Sequence, residues 1–115
     1  MAIAFDAATS AFDTTVSSVT FSHTVTAGGA DRAIFVSPQW NDSAPDTVSS
    51  ITYAAAALTE VSGALVTSDD GFGGQFGASH YRRLAPATGA NNVVVTMTGT
   101  VTRLVGGANA WTGVH

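Results

Sequence analysis

Residues 19–26 read Val19-Thr20-Phe21-Ser22-His23-Thr24-Val25-Thr26, and this stretch decides the fold. Val19, Phe21, His23 and Val25 take every second position, and hydroxyl side chains take the rest. Successive side chains of a strand point to opposite faces, so a period of two places one face in a core and the other in water. β-Branched residues at the wet positions suit a pleated backbone. The stretch reads as a half-buried strand.

The same grammar extends in both directions. Ile3 and Phe5 give a shorter alternation near the start, and the paired glycines of Ala27-Gly28-Gly29-Ala30-Asp31 mark a turn. Residues 32–37 (Arg-Ala-Ile-Phe-Val-Ser) are apolar on both faces, as in a central strand, with an end or bulge at Pro38, which cannot donate to a ladder. Residues 40–45 read as a loop, residues 47–53 as a strand with Ile51 and Tyr53 on one face, and residues 54–57 as a turn or one helical turn. A short strand follows over residues 58–61, and the Gly- and Asp-rich residues 63–77 form a long exposed loop. Residues 78–84 make a strand, residues 85–92 a turn region, and residues 93–97, 101–105 and 108–112 the last β segments. Seven to eight short strands with regular turn signals predict an all-β, antiparallel β-sandwich of jelly-roll-like type in one domain, residues 1–115.

Composition narrows the function. Charged residues are 10% of the chain, against about 25% in ordinary domains, and the formal net charge is −4. Lysine is absent, while Ser and Thr together number 27, so hydroxyls supply most of the polar surface. Low charge removes the usual guard against self-association, which points to a surface that ends up covered. Without a basic cluster the phosphate backbone of a nucleic acid has no counterpart. Cysteine is absent, so no disulfide or thiolate chemistry is available. Neither a signal-peptide pattern nor an 18-residue apolar run occurs, so synthesis in a host cytoplasm without export or membrane insertion is expected.

Particular segments resemble a family of β-sandwich domains found in bacteriophage virion proteins and bacterial surface proteins. The resemblance rests on Ala2-Ile3-Ala4-Phe5-Asp6, Thr20-Phe21-Ser22-His23-Thr24, Asp31-Arg32-Ala33-Ile34-Phe35-Val36, Val48-Ser49-Ser50-Ile51-Thr52-Tyr53 and Ala57-Leu58-Thr59. It continues through Tyr81-Arg82-Arg83-Leu84-Ala85-Pro86-Ala87-Thr88-Gly89-Ala90-Asn91-Asn92-Val93-Val94-Val95-Thr96 and closes at Trp111-Thr112-Gly113-Val114. It implies capsid decorations, tail or fibre modules, or adhesin repeats. Relatives carry glycines where Ala54-Ala55-Ala56 stands here, and they continue beyond the Thr-Gly-Val segment. The second departure leads to the expectation that the domain is incomplete at its C-terminal edge and is completed by another chain or copy.

Candidate sites follow from residue chemistry. His23 on its apolar alternation reads as a core histidine, and His80 lacks the spacing of a zinc or nucleophile motif. Asp69-Asp70-Gly71 lacks the alternating ligands of a calcium loop, so it reads as solvated. No catalytic residue, cofactor or metal is therefore expected. Phe72 and Phe76, aromatics in a small polar loop, either contact a partner subunit or fold back on the core. Trp40, in its loop, is a partner contact or, in the alternative reading, a sugar-stacking ring, whereas Trp111 is expected to pack in the core near the terminal strand's contact surface. Arg82 and Arg83 point to opposite faces, so at most one pairs within the interior, and the other is an interface salt-bridge partner or a solvated edge charge.

These readings converge on a structural virion protein, a bacteriophage capsid decoration subunit, that binds its own copies and a major capsid or other virion protein. The alternative is a carbohydrate-binding or adhesive module of a tail fibre or surface protein.

Overall fold

A computed structural model describes residues 2–114. Among these residues nine strands follow in order: β1 (Ala4–Val25), β2 (Ala33–Asp42), β3 (Val48–Tyr53), β4 (Ala56–Ala57), β5 (Thr59–Glu60), β6 (Val66–Asp69), β7 (Gln75–Ala78), β8 (Tyr81–Leu84) and β9 (Gly89–Thr112). All pairings are antiparallel within one sheet, and the central path is β4-β3-β9-β2-β7-β6. The chain is all-β, as the alternation predicts.

Two strands are far longer than sequence spacing suggests. β1 has 22 residues and β9 has 24, and they pair with each other nearly end to end. A straight strand of 22 residues would run about 70 Å at ~3.3 Å per residue, yet the molecule's longest extent is 48 Å. The strands must therefore fold over. Side chains confirm it within β1: Thr9 Oγ1 meets His23 Nδ1 at 2.7 Å, and the Thr26 N–H, just past the strand, donates to Asp6 Oδ2 at 2.9 Å. The two ends of one strand face each other across the core.

The crease lies where the register jumps. Val16 pairs with Val101 but Ser18 with Thr96, so residues 97–100 of β9 stand opposite Ser17 alone. The connection between β2 and β3 plugs this corner, with Thr98 Oγ1 donating to Asp46 Oδ1 at 2.8 Å. The result is a half-barrel of two leaves. One leaf holds the second half of β1, the first half of β9, and β3 and β4. The other holds the first half of β1, the second half of β9, and β2 with β5 to β8.

Between the leaves lies the core: Val19, His23, Val25, Ile51, Tyr53, Val93 and Val95 from one side, and Ile34, Val36, Trp40, Leu104, Ala108 and Ala110 from the other. Small inward residues on β9 let the leaves approach closely. A Cβ on Gly106 would lie 2.9 Å from the Phe21 ring, so that glycine leaves room for an aromatic ring rather than making a turn.

Several expectations are corrected. The strands among the described residues are nine, two of them long, rather than seven to eight short ones. β2 runs through Pro38 because the missing donor falls where β8 gives way to β7, and Pro38 O still accepts from the Ser79 N–H. Trp40 is therefore in a strand. Residues 63–77 are not all loop: β6 and β7 pair as a hairpin with residues 70–74 as its tip. Residues 54 and 55 form a two-residue hairpin turn in which Ala54 (φ 50°) and Ala55 (φ 62°) both adopt the left-handed conformation of a type I′ turn, usually filled by Asn-Gly. Among the described residues β9 is paired on both sides and β1 on one side only.

Candidate docking face

Directly paired residues of an antiparallel sheet project to the same face, so the pairings map the outward surface of the β2 leaf row by row. Phe5, Trp111, Ala33 and Leu84 form the first row, and Ala8, Asn109, Phe35, Arg82 and Thr59 the second. Ser10, Gly107 and Ser37 follow, with His80 beside Ser37. Phe12, Val105, Gln39, Ala78 and Val66 make the fourth row, then Thr14, Arg103, Asn41, Phe76 and Ser68 the fifth. At ~4.8 Å between strands and ~7 Å between rows, the face measures about 27 by 19 Å.

Large apolar groups on this face stand in water. Phe5 is 58% exposed, Phe12 59%, Phe76 53%, Leu84 58% and Val66 62%. At roughly 150–250 Å² per aromatic residue, they expose on the order of 500 Å² of apolar surface, at the top of the range for a monomer's largest patch. None of the face's residues is a carboxylate, and its formal charges are Arg82 and Arg103, although the chain carries eight acids against four bases. The outward surface of the other leaf is different in kind. Its rows, Ser18-Thr96-Ser50, Thr20-Val94-Thr52 and Ser22-Asn92, are mostly hydroxyl and amide.

Side-chain contacts order parts of the aromatic face. Phe5 meets Trp111 edge-on, ring centroids 5.5 Å apart, and Trp111 Nε1 donates to Asn109 Oδ1 at 2.6 Å. Phe35 stacks on His80 at 5.4 Å, and the His80 Nδ1 lies 2.6 Å from Ser37 Oγ. Between Phe12 and Phe76 the surface dips into an open depression of about 360 Å³, lined also by Val105, Ala78, Gln39 and Arg103.

At the corner beside it, the β6–β7 tip presents Phe72, 96% exposed. The tip is held by its own carboxylates: Asp69 Oδ1 accepts from the Gly71 N–H at 2.6 Å, and Asp70 Oδ1 from the Phe72 and Gly74 N–H groups, both at 2.8 Å. Gly71 and Gly73 supply the positive φ that these turns require.

The residues singled out by sequence thus separate. Phe76, Arg82 and Trp111 share the aromatic face, and Phe72 projects next to it. Phe72 and Phe76 are both exposed, so neither folds back on the core. Trp111 is half-buried on the outer surface rather than in the core, because β9 puts Ala108 and Ala110 inward and Trp111 outward. Trp40 is 3% exposed and its Nε1 donates to Asp46 O at 2.9 Å, so its ring is not available to stack on a sugar. Arg83 points the other way from Arg82 and donates to Ala57 O at 2.9 Å. Sequence reasoning missed Phe5, Phe12 and Leu84 as members of one face. On β1 the other outward positions are Ala8, Ser10 and Thr14, small or polar residues, and a register shift after Phe5 breaks the spacing, so no apolar period of two shows there; Leu84 is the last residue of β8.

His23 is fully buried, and burial holds its pKa below the ordinary value, partly opposed by the Asp6 carboxylate. Its Nε2 has no hydrogen-bond partner among the described residues. Burial also raises Tyr81, to about 12, assisted by the hydrogen bond and negative charge of Glu60, whose Oε2 accepts from Tyr81 and from Ser79 at 3.0 Å each. Among the described residues no group of three or more His, Asp or Glu side chains is placed to hold a metal ion. Comparison with known proteins finds no matching family model, curated protein or solved structure.

Proposed function

We propose that this chain is a structural virion subunit, a bacteriophage capsid decoration protein, whose aromatic face docks on its own copies and on a capsid protein. In this reading the two leaves are the halves of a jelly-roll-like sandwich, and assembly takes place inside the host cell. One observation carries it: a broad sheet face that exposes Phe5, Phe12, Phe76 and Leu84 beside a half-buried Trp111, without a carboxylate, in an otherwise acidic chain. Such a face gains little in water and much when covered.

Magnitudes favour a repetitive assembly over a solitary complex. Burying on the order of 500 Å² at about 25 cal/mol per Å² gives roughly 12 kcal/mol gross. Association costs about 4–15 kcal/mol. One such contact is marginal, and a symmetric lattice multiplies marginal contacts into a stable one.

The test is a density gradient of virions from the lysate in which the chain is expressed. The chain should band with the particles in many copies, while a folded Phe12→Asp/Phe76→Asp variant stays at the top. Wild-type protein absent from the particles, or retention of the double variant, refutes the proposal.

A further inference from the structure

The Phe72 tip and the depression between Phe12 and Phe76 fit one another in shape class and charge. Phe72 is a nearly naked phenyl ring on a tip fixed by three N–H to carboxylate bonds. Aromatic anchors of this kind, already ordered before binding, lose little conformational freedom when they enter a pocket. The depression is lined mainly by apolar residues, offers about 360 Å³ of space, enough for one ring, and has Arg103 in its lining. Asp69 and Asp70 flank Phe72 in sequence, so a seated ring brings two carboxylates toward the Arg103 guanidinium. Within one molecule the ring does not reach the depression, because it is 96% exposed.

We propose that Phe72 of one copy seats in the Phe12–Phe76 depression of a second copy, with Asp69 and Asp70 of the tip facing Arg103. The proposal deepens the docking reading and rests on it, since it names the chain itself as one occupant of the aromatic face. A flat contact between two aromatic faces is the less favoured geometry, because it would bring the Arg82 and Arg103 charges of both copies into one interface without a carboxylate. A tip-into-depression contact pairs opposite charges instead.

Sedimentation velocity from micromolar to millimolar protein tests it, using Phe72→Ala and Arg103→Glu. Both positions are exposed, and unchanged thermal melts would show that both variants fold. Wild type should self-associate, and each variant alone should associate at least tenfold more weakly. An equimolar mixture should recover association, because Arg103→Glu still offers an intact tip and Phe72→Ala an intact depression. A wild type that stays monomeric at millimolar concentration, a Phe72→Ala protein that associates like wild type, or a mixture no better than its components overturns the inference. Any of these results with virion banding retained would leave the docking face standing and remove only its self-contact.

Discussion

Glycine at position 55 is expected to stabilise this protein, although Ala→Gly destabilises at ordinary positions. Ala55 sits at φ 62° in the hairpin between β3 and β4. A residue with a Cβ in the left-handed region costs about 1–2 kcal/mol relative to its preferred conformation. Glycine relieves that cost, and its greater freedom in the unfolded chain takes back roughly 0.5–1 kcal/mol. Ala55 is exposed, so losing its methyl group forfeits little burial. The net gain is about 0.5–1 kcal/mol. Ala54 is a poorer choice, because its methyl packs against the core. In urea, with a slope of about 1–3 kcal/mol per molar, Ala55→Gly should raise the midpoint by roughly 0.2–1 M with the slope unchanged. Measured melting should rise by about 3–5 °C for a domain of this size. A midpoint that falls would show that residue 55 is not left-handed and that the turn is of another type.

Three further expectations rest on particular contacts. A Cβ on Gly77 would lie 2.2 Å from the Trp40 ring, so Gly77→Ala should cost about 1–3 kcal/mol in a denaturant titration and red-shift tryptophan emission; an unchanged spectrum and midpoint would contradict that packing. Because His23 has a lowered folded pKa, the unfolded chain binds the extra proton more readily. Stability should therefore be full above pH ~6.5 and fall below it by up to about 1.4 kcal/mol per pH unit, until the folded pKa is reached. A Thr9→Val/His23→Phe variant, which removes both partners of the buried bond, should lose that slope, and an equal slope in the variant would place its origin elsewhere. Glu60→Gln removes the charge beside Tyr81, so its phenol, raised to about 12, should ionise at lower pH in an ultraviolet titration; an unshifted curve would deny the Glu60 contact.

The alternation of residues 19–25 was legible because one face is buried along its whole length, and the structure keeps Val19, His23 and Val25 inward. The rest of β1 was not. Residues 6–18 mix Ala, Ser, Thr and Asp, whose propensities are weak or favour turns, and their pairing with β9 sets the strand instead. Gly106-Gly107 carries the signature of a turn, but close packing against Phe21 demands a residue without a Cβ, and local chemistry cannot announce a contact with a distant ring. Pro38 and the Asn41-Asp42-Ser43 run made Trp40 look like a loop residue, because turn residues are scored by type and not by which neighbour strand is missing. The aromatic face shows the same limit. Phe76, Arg82 and Trp111 were visible as single residues, but only the register of five strands aligns them with Phe5 and Phe12.

The absence of cysteine permits a direct reading of which surface is covered on assembly. Ser10 lies exposed on the aromatic face and Ser22 exposed on the hydroxyl face. Single Ser10→Cys and Ser22→Cys proteins can be alkylated free in solution and again when bound to virions. The Ser10→Cys thiol should react at least tenfold more slowly in the particle, while the Ser22→Cys thiol reacts at its free rate. Equal labelling of Ser10→Cys in both states, or protection confined to Ser22→Cys, would contradict the assignment of the aromatic face as the surface that docks.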